Sequence, residues 1–504
     1  MHYFIIFFTI VIYLKHLMIA FAMDGFYYLK GTLEEELNFD LRDFLPEECG
    51  LSAAINIPSA AQVVHKCLAL QEHRGEKGTG ILSVDNSGRI NIKKSRKSVL
   101  ESFTDMDFDK YLPGNFASGH NRYATVGDPG SILNIQPLLF NKTRFGPFAV
   151  AHNGTFNNVQ SIKDELISEG AIFQSDTDSE IFGHLIARSS KDTLEEAIQE
   201  AAEKIKTAYS LVITTPDKII ALKDKYGVRP LSIAKLDDGF LVCSENYVYD
   251  QFPNCSFIRA INAGEMVIFK RNEPGFKSIP YTEPNEHYCD FEIIYFGNPR
   301  TRYRGVYHED SRKALGQQVG IENPDLEGDL IVPILDSGKH HGIGLSIQIG
   351  IPYEEAFLRI HHSLKSQRRS FTEPDPLERI LAAYGKLHLR KDKIKGKRII
   401  GVDDSIVRGT TQRVINQRLR EAGATQITTV IASPPIINVC PNGMDYQNRS
   451  ELIAYTKSLQ EVCDYILSDR LVYLSLDGLN TVSSNLTGHN KCNGCFGGRY
   501  PINP

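Results

Sequence analysis

The sequence predicts an α+β layered domain followed by an α/β domain on a parallel sheet. Three observations predict it. A chain of 504 residues has room for two to four domains. From about Cys49 to Phe276, short strand-like runs crowd together with only two helical stretches between them; after about Tyr281, strands and helices alternate. The composition, 42% hydrophobic and 23% charged, is that of ordinary globular protein, which excludes wholesale disorder and a multi-span membrane protein. A net charge of −5 lacks the positive footprint of broad nucleic-acid binding. Nine cysteines are too sparse for a disulfide scaffold.

The first segment differs from the rest. Tyr3–Leu14 (YFIIFFTIVIYL) is apolar, and after Lys15 and His16 the run LMIAFA continues to Ala22. Neither piece reaches the roughly 18 residues of a membrane-spanning helix. Ala20-Phe21-Ala22 has the small-x-small form of a signal cleavage site, but Met1-His2 offers no positive n-region. We read Met23 as the translation start and residues 1–22 as an over-extended gene, with a secretory signal or a membrane-associated leader as the alternatives. Residues 1–48 are then leader or propeptide, and the expected setting is the reducing cytoplasm.

Strands are expected at Phe148–Asn153, Ser210–Thr215, Lys218–Lys223 and Gly239–Ser244 from β-branched and alternating apolar residues. Helical pattern is strongest in SDTDSEIFGHLIARSS and TLEEAIQEAAEKIKTAY. The latter places Leu194, Ala197, Ile198, Ala201, Ala202 and Ile205 at spacings of three and four. This first domain is expected to span 49–280. Beyond it, DLIVPILDSG reads strand then loop, KRIIGVDDSIVRGTT strand, loop and helix start, and QITTVIASPP strand. A strand followed by a helix of crossover length, repeated, predicts a parallel sheet over 281–475. A cysteine-bearing tail, 476–504, completes the chain.

The strongest single motif is Ile399–Thr411, IIGVDDSIVRGTT. An apolar strand ends in Asp403 and Asp404, a loop with Gly409 follows, and a helix opens at Thr410 and Thr411 and runs to a Gly423 cap. Such a junction offers backbone N–H groups and a positive helix end to a phosphate. Ser405, Thr410 and Thr411 add hydroxyl donors and Arg408 a charged one. The two acids suit ribose hydroxyls or Mg2+.

This stretch resembles the phosphoribosylpyrophosphate-binding motif of the type I phosphoribosyltransferases. VDDSIVRGTT is more narrowly similar to the glutamine phosphoribosylpyrophosphate amidotransferases. In that family a glutaminase domain of the N-terminal-nucleophile type, a four-layer αββα fold beginning with cysteine, precedes the transferase domain. Glu47-Glu48-Cys49-Gly50 has the form of the family's propeptide junction. HRGEKGTGI (His73–Ile81), GHNRYAT (Gly119–Thr125), QPLLF (Gln136–Phe140), AHNGTFNN (Ala151–Asn158), SDTDSEI (Ser175–Ile181), YGVRPLSI (Tyr226–Ile233), SEN (Ser244–Asn246) and AGEMV (Ala263–Val267) follow in family order. The similarity runs from about Cys49 to Pro501.

The chemistry of these residues agrees with the resemblance. A cysteine whose own α-amino group is free has a base with a pKa near 8 beside its thiol; cleavage before Cys49 would create that pair. Asn153 and Gly154 can offer an amide and a backbone N–H to an oxyanion. Arg122 can pair with the carboxylate of glutamine and Asp178 with its α-amino group. Singly, each has a plainer reading: surface charge for Arg122, helix cap for Asp178, hairpin turn for Asn153-Gly154.

The resemblance implies that glutamine is hydrolysed at Cys49 through a thioester and that ammonia passes internally to displace pyrophosphate, giving 5-phosphoribosylamine and glutamate at the first step of purine synthesis. It extends the phosphoribosylpyrophosphate site to Val407 and to Asp336, Ser337 and Gly338, with Mg2+ at Ser337, Asp403 and Asp404. Cys492-x-x-Cys495 alone is ambiguous among zinc, redox chemistry and chance. Some family members hold a [4Fe–4S] cluster in contexts like Cys289, Cys440 and this tail pair, and four thiolates is the count such a cluster needs. Cys67, Cys243, Cys255 and Cys463 are read as buried packing. The family further suggests a homotetramer inhibited by purine nucleotides.

Departures from the family pattern are few. Glu76 replaces a glutamine and Asn121 an apolar residue. The loop expected to close over the substrate at 360–374 differs most: Arg359 stands nearest the usual lysine, and only Arg369, Ser370 and Phe371 match the second half. That loop motivates an alternative, a catalytically weakened paralogue that binds phosphorylated ribose as a regulatory or scaffold protein.

Overall fold

A computed structural model describes residues 49–123, 130–156, 159–359, 387–443, 448–488 and 490–502. The leader, the Met23 start and the 360–374 loop lie outside the described residues.

The first part is a sandwich of two antiparallel sheets. One has seven strands in the order Cys255–Ala260, Ser232–Leu236, Gly239–Cys243, Gly50–Ile55, Phe116–Asn121, Thr79–Val84 and Ile90–Ser95. The other has six, in the order Lys277–Pro280, Glu265–Lys270, Lys218–Lys223, Tyr209–Thr214, Phe148–Gly154 and Leu138–Phe140. Side chains alternate across a strand, so Leu51, Ala53 and Ile55 enter the layer between the sheets with Ala149, Val212 and Val267. Ala54 points the other way, onto the helix Ala60–Leu70. The outer face of the second sheet is covered by the helices Val159–Ser168, Ser179–Arg188 and Leu194–Lys204. This is the expected αββα arrangement. Each fully buried Leu, Ile or Phe in it contributes about 1.5–3 kcal/mol.

Leu194–Lys204 shows how local sequence sets an element. Thr193 and Glu196 form a reciprocal capping box at its start, a contact worth about 1 kcal/mol. All six residues of the predicted apolar stripe are buried. The longest helices of this part that escaped the sequence reading are Ala60–Leu70 and Val159–Ser168. The first carries the adjacent β-branched pair Val63-Val64, which weakens its helical signal, and packing on the seven-stranded sheet overrides that preference.

The second part has four parallel strands, Leu330–Pro333, Arg398–Asp403, Gln426–Ile431 and Arg470–Tyr473, paired in that order. The first three match the predicted runs; the fourth, with only four residues, was not anticipated. Helices His308–Glu322, Lys339–Ile349, Thr410–Glu421 and Leu476–Thr487 accompany the sheet. The helix after the acid pair ends as read: Gly423 has φ 91°, and Ala424 N–H donates to the Leu419 carbonyl, a left-handed cap. The tail folds back, with Lys491–Cys492 pairing in parallel with Tyr288–Cys289.

Candidate active sites

Cys49 stands at the head of the strand Gly50–Ile55, in the centre of the seven-stranded sheet. Its residue is partly exposed, but the thiol is enclosed, and burial pushes it up to about 11; the Tyr123 backbone, Arg122 and Arg74 oppose that rise, and Asp178 adds to it. Arg122 is 3% exposed and Asp178 4%. The sandwich therefore brings together a thiol, a buried cation and a buried anion from segments more than fifty residues apart.

Asp178 does not behave as a helix cap. Its side chain makes no cap hydrogen bond to Ser179–Arg188. Instead its Oδ2 accepts the Phe156 N–H at 2.8 Å. That contact pins the turn Asn153–Phe156, where the strand from the other sheet ends. His152 and Gln136 complete the floor. Gln136 Oε1 accepts the His152 N–H at 2.6 Å, and its Nε2 donates to Ser179 Oγ at 3.0 Å. Sequence reading quoted these residues within motifs but assigned them no part.

Asn153 is 1% exposed, and its Nδ2 finds no acceptor among the described residues. An unsatisfied buried donor costs about 1–3 kcal/mol, a cost explained if an oxygen arrives there during reaction. Gly154 has φ 143°, and an added Cβ would lie 2.7 Å from the Ala208 carbonyl oxygen. No other residue fits this turn.

Asn121, one of the departures, has a structural role. Its Nδ2 donates to the Leu68 and Gln71 carbonyls at 2.8 and 3.2 Å, tying its strand to the end of the helix Ala60–Leu70.

Arg74, which sequence reading left without a role, is fully buried. It donates to Glu245 at 2.8 Å, to Glu292 at 2.9 Å and to the Cys49 carbonyl at 3.3 Å. Glu292 opens the π-helical turn Glu292–Phe296, whose Ile293 and Tyr295 carbonyls accept from Arg312 at 2.7 Å. Arg312 in turn lowers the cost of charge at Asp404. Buried polar contacts thus run from Cys49 as far as Arg312, which acts on the acid pair of the second site only through its charge.

The second site lies at the C-terminal ends of the strands Leu330–Pro333 and Arg398–Asp403, the usual ligand position in open α/β sheets. Ser337 Oγ donates to Asp403 Oδ1 at 2.9 Å, and Asp404 N–H donates to the same oxygen at 2.9 Å. Ser405 Oγ donates to Asp404 Oδ2 at 2.7 Å. Burial first, then the neighbouring carboxylate, holds Asp403 well above the usual carboxylate range; burial also raises Asp404. Two enclosed acids side by side are residues that could hold a cation. A Cβ on Gly338 would meet the Val402 carbonyl oxygen at 2.1 Å, so only glycine lets the Asp336–Gly338 loop touch the acid-bearing strand.

Gly409 takes φ 85° at the helix start, and Thr410 is buried beside it while Thr411 is exposed. Val407 is buried, and its carbonyl accepts from Ile453 N–H at 2.9 Å. Arg408 is engaged by Glu451 at 2.5 Å.

The segments that carry the four candidate cluster cysteines also pack together. Cys289 and Cys492 are register partners across the Tyr288–Cys289/Lys491–Cys492 pair. Ile437 and Asn438 N–H both donate to the Cys495 carbonyl, at 2.9 and 3.1 Å, and so tie the Cys440 segment to the tail. Burial raises the Cys289 and Cys492 thiols well above their ordinary value, and each is raised further by Cys440. All nine cysteines are free thiols. Among the described residues, no three His, Cys, Asp or Glu side chains converge tightly enough to hold a single metal ion. A cubane holds its four thiolates on separate irons and so needs a wider opening. The all-sulfur donor set, drawn from three segments, suits it. Cys67 and Cys243 are fully buried in the layer under helix Ala60–Leu70, with Cys255 packed against it, and Cys463 is buried in a separate cluster.

Fold and sites together define a glutamine amidotransferase coupled to a phosphoribosyltransferase. Residues 120–249 match the glutamine amidotransferase domain family. The amidophosphoribosyltransferase of Bacillus subtilis is 36% identical over 461 residues, 91% of this chain and 94% of that protein. That of Archaeoglobus fulgidus is 34% identical, covering 88% and 95%, and a chloroplastic one of Arabidopsis thaliana is 34% identical, covering 92% and 86%. The solved B. subtilis glutamine phosphoribosylpyrophosphate amidotransferase, complexed with ADP and GMP, superposes with a TM-score of 0.81 at 34% identity over 90% of this chain and 98% of that one. The chain belongs to the amidophosphoribosyltransferase family and is a glutamine-dependent pentosyltransferase of purine synthesis.

Proposed function

We propose that the enzyme divides its reaction between the two sites just described. Phosphoribosylpyrophosphate, glutamine and water become 5-phosphoribosylamine, glutamate and pyrophosphate. The observation that carries the division of labour is the meeting, in one chain, of an enclosed thiol with Arg122 and Asp178 and of an acid pair with a phosphate-shaped junction.

Residues 49–280 form the glutaminase domain. Cleavage before Cys49 converts its amide nitrogen into an amine, which takes the thiol proton. The thiolate then attacks the glutamine amide carbonyl, and Asn153 Nδ2 and Gly154 N–H receive the developing oxyanion; the tetrahedral adduct expels ammonia, which takes the proton held by the amine, and water hydrolyses the remaining thioester to glutamate. Arg122 holds the substrate carboxylate and Asp178 its ammonium. Without cleavage the buried thiol stays protonated at neutral pH.

Residues 281–475 form the transferase domain. Backbone and hydroxyl groups of Asp403–Thr411, with Asp336–Gly338, bind the phosphorylated sugar and its pyrophosphate. Ser337, Asp403 and Asp404 are the residues that would hold Mg2+, which when bound neutralises charge on the departing pyrophosphate. Arg408, engaged by Glu451, positions the loop and contributes its charge from a fixed place. Cys289, Cys440, Cys492 and Cys495, the last two in the tail 476–504, would hold a [4Fe–4S] cluster. Among the described residues no helix is long and apolar enough to cross a membrane; nine free thiols favour a reducing setting, the cytoplasm. A homotetramer and purine-nucleotide inhibition complete the reading, the latter supported by the ADP and GMP named with the B. subtilis structure.

The test is Cys49→Ala in processed protein. Glutamine-dependent pyrophosphate release should fall by about 10⁴-fold or more, while release driven by free ammonia persists. Equal loss of both activities would refute the two-site division.

A further inference from the structure

The Cys440 segment does not stop at the thiols. Asn442 donates its N–H to Cys440 Sγ at 3.4 Å and its Nδ2 to Cys492 Sγ at 3.6 Å. The carbonyl of the same residue accepts from Arg229 Nη2, a side chain that belongs to the glutaminase domain and is 1% exposed. Its neighbour Val228 lies in one apolar cluster with Cys289, Cys492, Cys495 and Phe496. The next residue, Gly443, has φ 110°. A Cβ there would meet Thr155 Oγ1 at 3.1 Å, Arg229 Nη2 at 3.2 Å and the Gly154 carbonyl carbon at 3.4 Å. The loop that bears Cys440 is therefore clamped between the thiol cluster on one side and the oxyanion turn on the other, with a buried guanidinium at the junction.

We propose that Arg229 is a positioning residue for the iron–sulfur site: the glutaminase domain supplies, through it, the buried counter-charge that lets four thiolates hold a cluster. The inference rests on the [4Fe–4S] reading of these cysteines. A cluster on four thiolates keeps a net negative charge, and enclosing that charge without a partner is costly. Outer groups that donate to or face the sulfurs tune both retention and potential. Arg229 reaches the thiol-bearing segment directly, through the Asn442 carbonyl. Its contact with the Asn442 carbonyl also orients the two Asn442 donors toward sulfur. The cluster site is thus completed across the domain boundary.

The experiment compares the full-length wild type with Arg229→Met and Arg229→Lys, each reconstituted anaerobically with iron and sulfide. Iron and sulfide per chain, the rate of bleaching in air and the reduction potential are measured alongside thermal melting. Arg229→Met is expected to bleach at least about tenfold faster and to have a more negative potential, since an electron added beside a lost positive charge is less stabilised. Arg229→Lys is expected to recover most of both. Equal cluster content, bleaching and potential in all three proteins would overturn the proposal. So would equal loss in Met and Lys variants, which would make the role packing alone. Should Arg229→Met show no melting transition, Arg229→Gln, which keeps a donor without the charge, decides by the same criteria. A wild type that takes up no iron and sulfide overturns the cluster reading itself, and is distinguished by that from failure of the Arg229 assignment.

Discussion

The two proposed active sites are assembled in opposite ways. The transferase site is nearly contiguous: Asp403–Thr411 supplies strand end, acids, loop and helix start, and one outside loop reaches it through Ser337. The glutaminase site is dispersed, taking Cys49, Arg122, Asn153 and Asp178 from separate strands and turns of a two-sheet sandwich. A contiguous site is held by its own backbone geometry. A dispersed one depends on distant fastenings, such as Asp178 to Phe156 and Arg74 to Glu245, Glu292 and Cys49.

This difference can be tested by substitutions on each side. Asp403→Asn removes one of two enclosed acids and is expected to cut pyrophosphate release by about 10³-fold, with glutamate release from glutamine retained in a direct assay. Loss of glutaminase turnover to the same degree would mean the sites are not separately built. Asn153→Ala removes the buried donor without an acceptor and should lower kcat for glutamine by about 10²-fold with KM little changed. A rise in KM alone would reassign it to substrate binding.

The third prediction concerns the fastening rather than the chemistry. Arg74→Met leaves buried Glu292 without its cation and Glu245 with His73 alone, and should cost about 3–5 kcal/mol of stability, read from denaturant midpoints. A neutral outcome would show that the glutaminase site does not depend on this distant tie. The last is a pH profile. The Cys49 thiol of unprocessed protein is raised to about 11, so its thiolate, the reactive form, grows about tenfold per pH unit toward that value. Alkylation followed by mass spectrometry should show this rise, whereas an inflection near that of a free cysteine would contradict the enclosure.

The same contrast explains what could be read in advance. The acid pair, the loop glycine and the helix from Thr410 to its Gly423 cap were legible because neighbouring residues in sequence do the work. So was the buried stripe of Leu194–Lys204, whose period and capping box are local. Arg74 was not legible as a tie, because nothing near it in sequence announces Glu245 or Glu292. Asp178 was legible as a candidate for the glutamine ammonium but not as a fastening, since its partner, the Phe156 N–H, is supplied by another strand end. The strand Arg470–Tyr473 was missed for its shortness; only pairing with Gln426–Ile431 makes it one.

By itself the sequence determined the two fold classes and pointed to a candidate phosphate junction and a set of candidate chemistry-bearing residues, because periodicity, turn chemistry and contiguous motifs act over short range. Tertiary structure alone decided which of those residues meet. It paired Cys289 with Cys492 across a two-residue strand pair, enclosed the Cys49 thiol, and brought Arg229 to the Asn442 carbonyl. Enclosure and charge pairing depend on what the folded chain excludes from water, and that is a property of the packed molecule rather than of any segment.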